Sequence, residues 1–198
     1  LLSYESTTLM FAIMLAAVLS GVGLGGVIAS RWSRRGWTPG RVARLVAAGA
    51  AVAVVAGYAA FGATQDLLNV LQPGALTSRI TMSLFLMAPV CLLSGLLFTA
   101  LGDCLRARMA DAADATATLT FANTLGGMRG SLLAAFALLP ALGVEGSLFL
   151  LALLYGVIPI LVPGPEASCS RRLAPALVSV VALALFPFRT MEEVYFRR

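Results

Sequence analysis

Residues 122–143 read ANTLGGMRGSLLAAFALLPALG, an apolar stretch with Arg129 near its middle. Ala122, Gly126, Gly130 and Ala134 recur every four residues, so a helix places them on one stripe. In a membrane, small residues at this spacing let a second backbone approach closely. The stretch is therefore predicted to be a helix whose stripe packs against another helix.

The same spacing occurs in residues 8–30, TLMFAIMLAAVLSGVGLGGVIAS, at Ala17, Gly21, Gly25 and Ala29. Glycine costs up to about 1 kcal/mol relative to alanine in an exposed helix, so regular glycines in two apolar segments favour close packing over chance. We therefore predict that these two helices pair through matching grooves and form the centre of the fold.

The composition indicates that most of the surface faces lipid. Of the 198 residues, 60% are hydrophobic and only 12% are charged, and the mean hydropathy is +0.93. Soluble domains carry roughly twice that charged fraction, which excludes a soluble globular domain. The prediction is an all-α integral membrane protein, a multi-pass bundle of about six transmembrane helices in the cell inner membrane.

Apolar runs and the polar segments between them predict the domain organisation. Residues 1–187 form a polytopic membrane domain, and residues 188–198 form an amphipathic tail or linker toward a soluble domain. The fifth and sixth runs are short for a span of about 20 residues. The predicted spans cover approximately residues 7–30, 42–63, 79–102, 116–139, 147–162 and 173–186.

Residue usage argues against catalysis and cofactor binding. The chain has no histidine, the usual axial haem ligand, the commonest zinc ligand and the general base of most hydrolases. Cys91, Cys104 and Cys169 lack the CxxC spacing of metal or redox sites. We predict no cofactor, no metal and no catalytic residue, so the chain is not expected to be an enzyme.

Arginines gather at the ends of the apolar runs. The stretch RWSRRGWTPGRVAR carries two tryptophans, which are typical of interfacial anchors. Basic residues in a short loop set membrane topology and meet lipid phosphates, so the net charge of +5 predicts lipid headgroups rather than nucleic acid as the partner. The predicted topology and headgroup residues are Arg31, Arg34, Arg35, Arg41 and Arg44.

Arg129 falls near the middle of the fourth predicted span. An arginine at that depth costs roughly 2.5 kcal/mol or more unless it is paired or reaches water. Its candidate partners are backbone carbonyls, Asn123 or an acid of another chain. A structural role at a subunit interface, snorkelling to the membrane surface and a substrate-binding role all remain open for Arg129.

Two stretches resemble a known family. The segment FANTLGGMRGSLLAAFALLPALGVEGSLFLLALLYG and the early segment YESTTLMFAIMLAAVLSGVGLGGVIASRW resemble the membrane part of bacterial fused spermidine synthase-like proteins. FPFRTMEEVYFRR is similar to the linker that leads into their soluble aminopropyltransferase-like domain. The resemblance implies a membrane domain followed by a catalytic domain; no strand–glycine-loop–helix unit for that chemistry occurs in these residues.

A second, shorter resemblance concerns transporters. GVIASRWSRR, residues 26–35, resembles the loop motif of major facilitator transporters. Ser30 stands where that motif has its aspartate and Ser33 where it has its later glycine, so gating by the motif is not supported.

Three functions remain open from the sequence. The first is a non-catalytic membrane domain or subunit of a spermidine synthase-like protein, which scaffolds other membrane subunits or a fused soluble domain through small-residue helix packing. The second is a small-solute transporter or half-transporter, for which Arg129 favours an anion because no acid falls at mid-depth. The third is an accessory subunit of a respiratory or photosynthetic membrane complex.

Overall fold

The computed structural model describes residues 2–61, 63–64, 67, 75–162 and 169–188, with the backbone only for residues 2–10, 75–80, 82–83 and 169–173. The described residues are helical and contain no strand, which confirms the all-α prediction. Of the predicted tail, only Phe188 lies within the described residues. The helices are α1 (Leu2–Arg34), α2 (Pro39–Ala59), α3 (Ala75–Arg106), α4 (Ala112–Leu133), a π-helical segment (Ala134–Leu138), α5 (Leu139–Leu161) and α6 (Cys169–Ala184).

Several of these helices are long enough to cross a bilayer. A helix needs about 20 apolar residues to cross the hydrocarbon core. Among the described residues, four helical stretches are long and apolar enough: Phe11–Arg34, Pro39–Ala59, Leu84–Arg106 and Ala112–Leu161. The apolar part of α6, Ala174–Ala184, is shorter. These stretches support the prediction of a membrane protein.

The arginine-rich loop between α1 and α2 is a tight turn. Gly36 has φ +79°, a left-handed conformation that glycine adopts readily after a helix end. Thr38 is the N-cap residue of α2 and Pro39 occupies its first turn, where the missing N–H costs nothing. The Trp32 and Trp37 rings stack with centroids 5.6 Å apart. The turn therefore brings the ends of two apolar helices together on the same side of the bundle.

α2 is the central helix of the described structure. More than half of its 21 residues are buried, and it packs against α3, α5 and α6. Ala43, Ala47, Ala50 and Ala51 are completely buried. Because alanine and valine side chains are short, several neighbouring helices can approach this one closely. The prediction that residues 122–143 form the centre of the fold is therefore wrong.

Two apolar clusters hold the bundle together, and α2 contributes to both. The first joins α1, α2 and α3 at the arginine-rich end, and the second joins α2, α5 and α6 at the opposite end. The buried members of the first cluster are Ala29, Val42, Ala43, Val46, Ala47, Leu96, Leu97 and Ala100. Those of the second are Val54, Val55, Tyr58, Ala152 and Phe186.

The partner of α1 differs from the predicted one. α1 packs mainly along α3, whereas α4 packs against the end of α3 only near its own first turns. The predicted pairing of α1 with α4 is therefore wrong. Helical spacing identifies a face on each helix, but the connections between α1, α2 and α3 decide which face meets which.

The helical stretch Ala112–Leu161 contains 50 residues, about 75 Å at 1.5 Å per residue, more than twice the hydrocarbon thickness. The fourth span was predicted to end at Pro140. Instead the helix passes that proline through the π-helical segment, which adapts the backbone where proline lacks its N–H. The break comes at Gly143, with φ +67° and ψ −173°. Only a glycine takes this conformation without strain.

Candidate functional site

The small-residue stripe of α1 is filled by α3. Gly21, Gly25 and Ala29 are buried, and Ala17 is half-buried. A Cβ at Gly21 would lie 2.7 Å from Cβ of Cys91, and one at Gly25 would lie 2.7 Å from the backbone nitrogen of Leu96. Real Cβ atoms do not approach other atoms so closely, so the two backbones touch only because these positions are glycines.

α3 contributes a matching glycine to the same contact. A Cβ at Gly95 would lie 2.6 Å from Cα of Val22 on α1. The contact is therefore reciprocal, with glycines on both helices facing the opposite backbone. No glycine or alanine lies four residues before or after Gly95 in the sequence. The four-residue periodicity therefore did not identify it.

The corresponding stripe of α4 is open. Of the 22 residues of α4, all of which are described, Ala115 alone is buried. Ala122, Gly126 and Gly130 are exposed, and Ala134 in the π-helical segment is half-buried. A Cβ at Gly126, Gly127 or Gly130 would meet no atom within 4 Å. The described part of the chain thus provides no helix for this stripe.

Arg129 and Asn123 lie on the exposed surface of α4. Arg129 is three residues after Gly126 and seven after Ala122, so it lies on the same side of the helix as the stripe. No described residue forms a hydrogen bond or ion pair with Arg129, so Asn123, one of its candidate partners, is not bonded to it. The positively charged side chain of Arg129 therefore lies beside the open small-residue stripe of α4.

The first turn of α4 is anchored to α3. The Asp111 carboxylate accepts a hydrogen bond from the Ala113 N–H at 2.9 Å and so caps the helix. The Arg106 guanidinium donates to the Thr116 hydroxyl at 3.3 Å. These contacts fix where α4 leaves the bundle, while the rest of the helix remains uncovered.

The five predicted topology arginines fall into two groups. Arg31, Arg34, Arg35 and Arg41 are exposed at the α1–α2 turn, and Arg41 stacks over Trp37 with 5.7 Å from its guanidinium carbon to the ring centroid. Arg44 differs because only 2% of it is exposed. It lines a cleft between α2 and α6 together with Arg41. The headgroup role assigned to these arginines stays a prediction.

The opposite end of the bundle contains a polar contact that the sequence did not predict. The Tyr58 hydroxyl, at the end of α2, donates a hydrogen bond to Oε1 of Glu145, near the start of α5. The Tyr58 ring stacks on Phe186 with centroids 5.0 Å apart, and Phe149 meets Phe186 edge-on. A half-buried carboxyl group is thus held against an aromatic cluster that joins α2, α5 and α6.

A second hydrogen bond crosses the bundle between α3 and α5. The hydroxyls of Ser94 and Tyr155 are 2.7 Å apart, and both residues are partly buried. Such contacts between polar side chains join helices in lipid, where the alternative is an unsatisfied group.

Within the described ranges, no three Cys, Asp or Glu side chains converge as a metal site would require.

Tyr58→Phe is expected to destabilise the folded protein by about 1 kcal/mol, because it removes the donor to Glu145 and keeps the ring stacked on Phe186. Tyr155→Phe is the matched control and should cost less, since it breaks a bond between two neutral hydroxyls. SDS titration of the purified protein in micelles measures both. Equal unfolding midpoints for Tyr58→Phe and the parent protein would contradict the importance of the Tyr58–Glu145 contact.

Two further cavities lie between the helices. One of about 370 Å³ lies between α2, α3 and α5 and is almost wholly apolar, with Tyr58 at its edge. The other, of about 500 Å³, lies at the arginine-rich end and includes Cys104 and Arg108. Neither contains a set of polar groups that converge on one point, so neither resembles a site for a polar substrate.

Comparisons of the chain with protein families, with curated proteins and with solved structures found no match. Function is therefore inferred from the arrangement of this chain's own side chains. That arrangement offers one filled small-residue contact between α1 and α3 and one open small-residue surface on α4. It also places Arg129 beside the open surface.

Proposed function

We propose that the chain is a non-catalytic membrane scaffold in which the open stripe of α4 receives a transmembrane helix of a partner protein. The observation that carries this proposal is the contrast between two stripes of the same spacing. On α1 the glycines touch the backbone of α3, whereas on α4 Gly126, Gly127 and Gly130 have no atom within 4 Å of a Cβ position.

Lipid alone accounts for exposed apolar side chains on α4 such as Phe121, which is 69% exposed. It does not account for the glycines. Each glycine costs up to about 1 kcal/mol relative to alanine where no neighbour requires it. A close helix contact recovers this cost through van der Waals packing, as it does between α1 and α3. The glycines of α4 therefore favour a helix as the occupant of the stripe.

The positive charge of Arg129 favours a partner protein other than a second copy of this chain. A second copy packed through the same stripe would bring two Arg129 side chains near each other, and like charges in a low-dielectric environment repel. A helix that carries Asp or Glu would instead pair with Arg129. We therefore propose an acidic membrane helix as the partner.

We further propose six spans for the complete bundle. The break at Gly143 divides the long stretch Ala112–Leu161 into two segments, each long enough for a bilayer crossing. α6 would be the sixth span, packed against α2 and α5 rather than fully exposed to lipid. The arginine-rich end would face the cytoplasm of a cell whose inner membrane holds the protein.

The resemblance to fused spermidine synthase-like proteins suggests what such a scaffold would hold. A soluble aminopropyltransferase-like domain after the tail, or membrane subunits around α4, would fit this role. An accessory subunit of a respiratory or photosynthetic complex would use the same open stripe.

The test is the subunit composition of the protein purified gently from its own membrane, for the parent, Gly126→Leu and Gly23→Leu. Gly23 is the matched control because it is also exposed, with no atom within 4 Å of a Cβ. We expect Gly126→Leu to lose a stoichiometric partner that Gly23→Leu retains. Retention of the partner by both variants, or purification of the parent without a partner, would contradict the scaffold function.

The intact mass in the same experiment, compared with the 20.6 kDa of these residues, reports whether a soluble domain follows.

A half-transporter is the second candidate, because a second bundle on α4 would leave Arg129 facing a pathway for an anionic solute. Uptake of a labelled anion by proteoliposomes that is lost in Arg129→Leu would favour that function.

A further inference from the structure

The apolar cavity beside Tyr58 opens to the surface of the bundle. It lies between α2, α3 and α5, and its volume of about 370 Å³ is within the range of about 300–1,000 Å³ that is usual for small-molecule sites. Val54 and Tyr58 are buried, whereas the other lining residues are half-buried or exposed, and Leu151 is 40% exposed. Because the surface of the bundle faces lipid, the cavity is accessible from the bilayer.

The hydrogen bond between Ser94 and Tyr155 marks the inner boundary of the cavity. Cys91 on α3 and Leu151 on α5 line the cavity. Ser94 is three residues after Cys91 and Tyr155 is four after Leu151, so the two hydroxyls meet one turn further along the same helix faces. The cavity at the arginine-rich end begins beyond this bond, near Leu101. A molecule in the cavity beside Tyr58 therefore enters from the lipid side rather than along the axis of the bundle.

Gly57 widens the cavity. A Cβ at this position would lie 3.8 Å from Cδ2 of Leu86, an ordinary van der Waals distance, so no close backbone contact requires a glycine as it does at Gly25. Alanine is the better helix former. The glycine therefore costs stability in α2 unless the space that it leaves is occupied.

The walls of the cavity decide what can occupy it. They are almost wholly apolar, and an ordered water molecule needs roughly two to four polar partners. A polar or charged molecule would lose its hydrogen bonds to water without replacing them. A hydrocarbon chain has no such bonds to lose, and the bilayer supplies hydrocarbon at the open side of the cavity.

The length of the cavity suits part of one lipid chain. It extends from Ala53 to Tyr58 along α2 and from Leu86 to Cys91 along α3. Each of these distances is five residues, or about 7.5 Å along a helix. One leaflet contributes about half of the roughly 30 Å hydrocarbon core, so the cavity covers about half of the chain length within that leaflet.

We propose that the cavity is a binding site for one acyl chain of a phospholipid from the leaflet on the Tyr58 side. The chain lies against Ala53, Gly57 and Met87 and fills the space between α2, α3 and α5. Its contacts replace those that the walls of an empty cavity lack, so the bound lipid stabilises the bundle. The site does not depend on the partner proposed for α4.

The first experiment uses a phosphatidylcholine with a photoactivatable diazirine in the middle of one acyl chain. The protein is reconstituted with this lipid, extracted with detergent, washed free of loose lipid and irradiated, and labelled residues are identified by mass spectrometry. We expect label on Met87 or Cys91. Leu19 is the matched control residue, because it is 62% exposed on α1 and lies at a similar depth, two residues before the Gly21 that meets Cys91. Loss of all lipid on washing, or equal labelling of Leu19 and the cavity residues, would overturn the proposal.

A second experiment fills the cavity with side chains of the protein. Ala53→Leu and Gly57→Leu each place a leucine in the cavity, whereas Ala56→Leu places one on an exposed face of α2. We expect the first two variants to lose the label on Cys91 and Ala56→Leu to keep it. Labelling of Cys91 in both filled variants at the level of the parent would contradict the site.

SDS titration of the same proteins separates loss of the lipid from loss of the fold. Adding phosphatidylcholine to the washed parent should raise the SDS concentration at which it unfolds, because the chain fills the cavity. Gly57→Leu should unfold at the same SDS concentration with and without the added lipid, and Ala56→Leu should respond as the parent does. An equal response of the parent and Gly57→Leu would show that the lipid acts elsewhere on the bundle.

Discussion

Replacing Gly25 or Gly95 with alanine is expected to force α1 away from α3. A new Cβ at Gly25 would lie 2.7 Å from the backbone nitrogen of Leu96, and one at Gly95 would lie 2.6 Å from Cα of Val22. Both obstructing atoms belong to backbone, so no side-chain rotation relieves the overlap. Overpacking of this kind costs about 1–3 kcal/mol for one added carbon. Leucine at either site should prevent the native contact altogether.

The matched control is Gly23→Ala, on the exposed side of the same helix, where a Cβ meets no atom within 4 Å. Its alanine should leave stability unchanged or raise it slightly through better helix propensity. SDS titration followed by tryptophan fluorescence suits this comparison, because Trp32 packs against the first apolar cluster at the end of α1. If Gly25→Ala, Gly95→Ala and Gly23→Ala unfold at the same SDS concentration, α1 does not pack on α3 through these glycines.

The α1 stripe shows which part of a helix contact the sequence periodicity can predict. The four-residue spacing of Ala17, Gly21, Gly25 and Ala29 identified one face of one helix. It could not identify α3 as the partner, because the complementary position is a single glycine, Gly95, beside Ser94. A helix face is encoded locally, whereas the choice of partner depends on how the connecting segments place whole helices.

The central position of α2 was missed for a related reason. Its sequence lacks a regular glycine stripe and carries alanine and valine on all sides, so no single face stands out. A helix with small side chains on every face can pack closely against several neighbouring helices at once. That all-round pattern is the signal in the sequence that could have identified α2 as the centre.

The Tyr58–Glu145 contact had no comparable signal. The two residues are 87 positions apart; Tyr58 lies near the far end of the second predicted span and Glu145 lies between the fourth and fifth, where a polar side chain is ordinary. Only the packing of α2 against α5 brings them together.

The helix of the fourth predicted span extends further than the sequence indicated, and the reason is local. The π-helical segment lets the helix continue past Pro140 as far as Gly143.

Arg129→Leu is expected to weaken the association of the chain with its proposed partner strongly while leaving the fold of the chain intact. Arg129 is exposed and bonds to no described residue, so its loss removes no contact within the described bundle. In the complex it would pair with an acid of the partner. Removal of one member of such a pair leaves the other charge uncompensated in lipid, at roughly 2.5–3.5 kcal/mol, which weakens association about 100-fold.

Met128→Leu is the neighbouring control, because Met128 is 58% exposed and carries no charge. Arg129→Lys keeps the cation without the planar guanidinium, so an intermediate loss is expected. Cross-linking yield in native membranes reports association, and SDS titration of each purified variant reports folding. A variant Arg129→Leu that associates as well as Met128→Leu would exclude a charged contact at α4. One that unfolds more easily than Met128→Leu would instead place Arg129 in the packing of the chain itself. Loss of association at unchanged stability is the outcome that only a partner beside the α4 stripe produces.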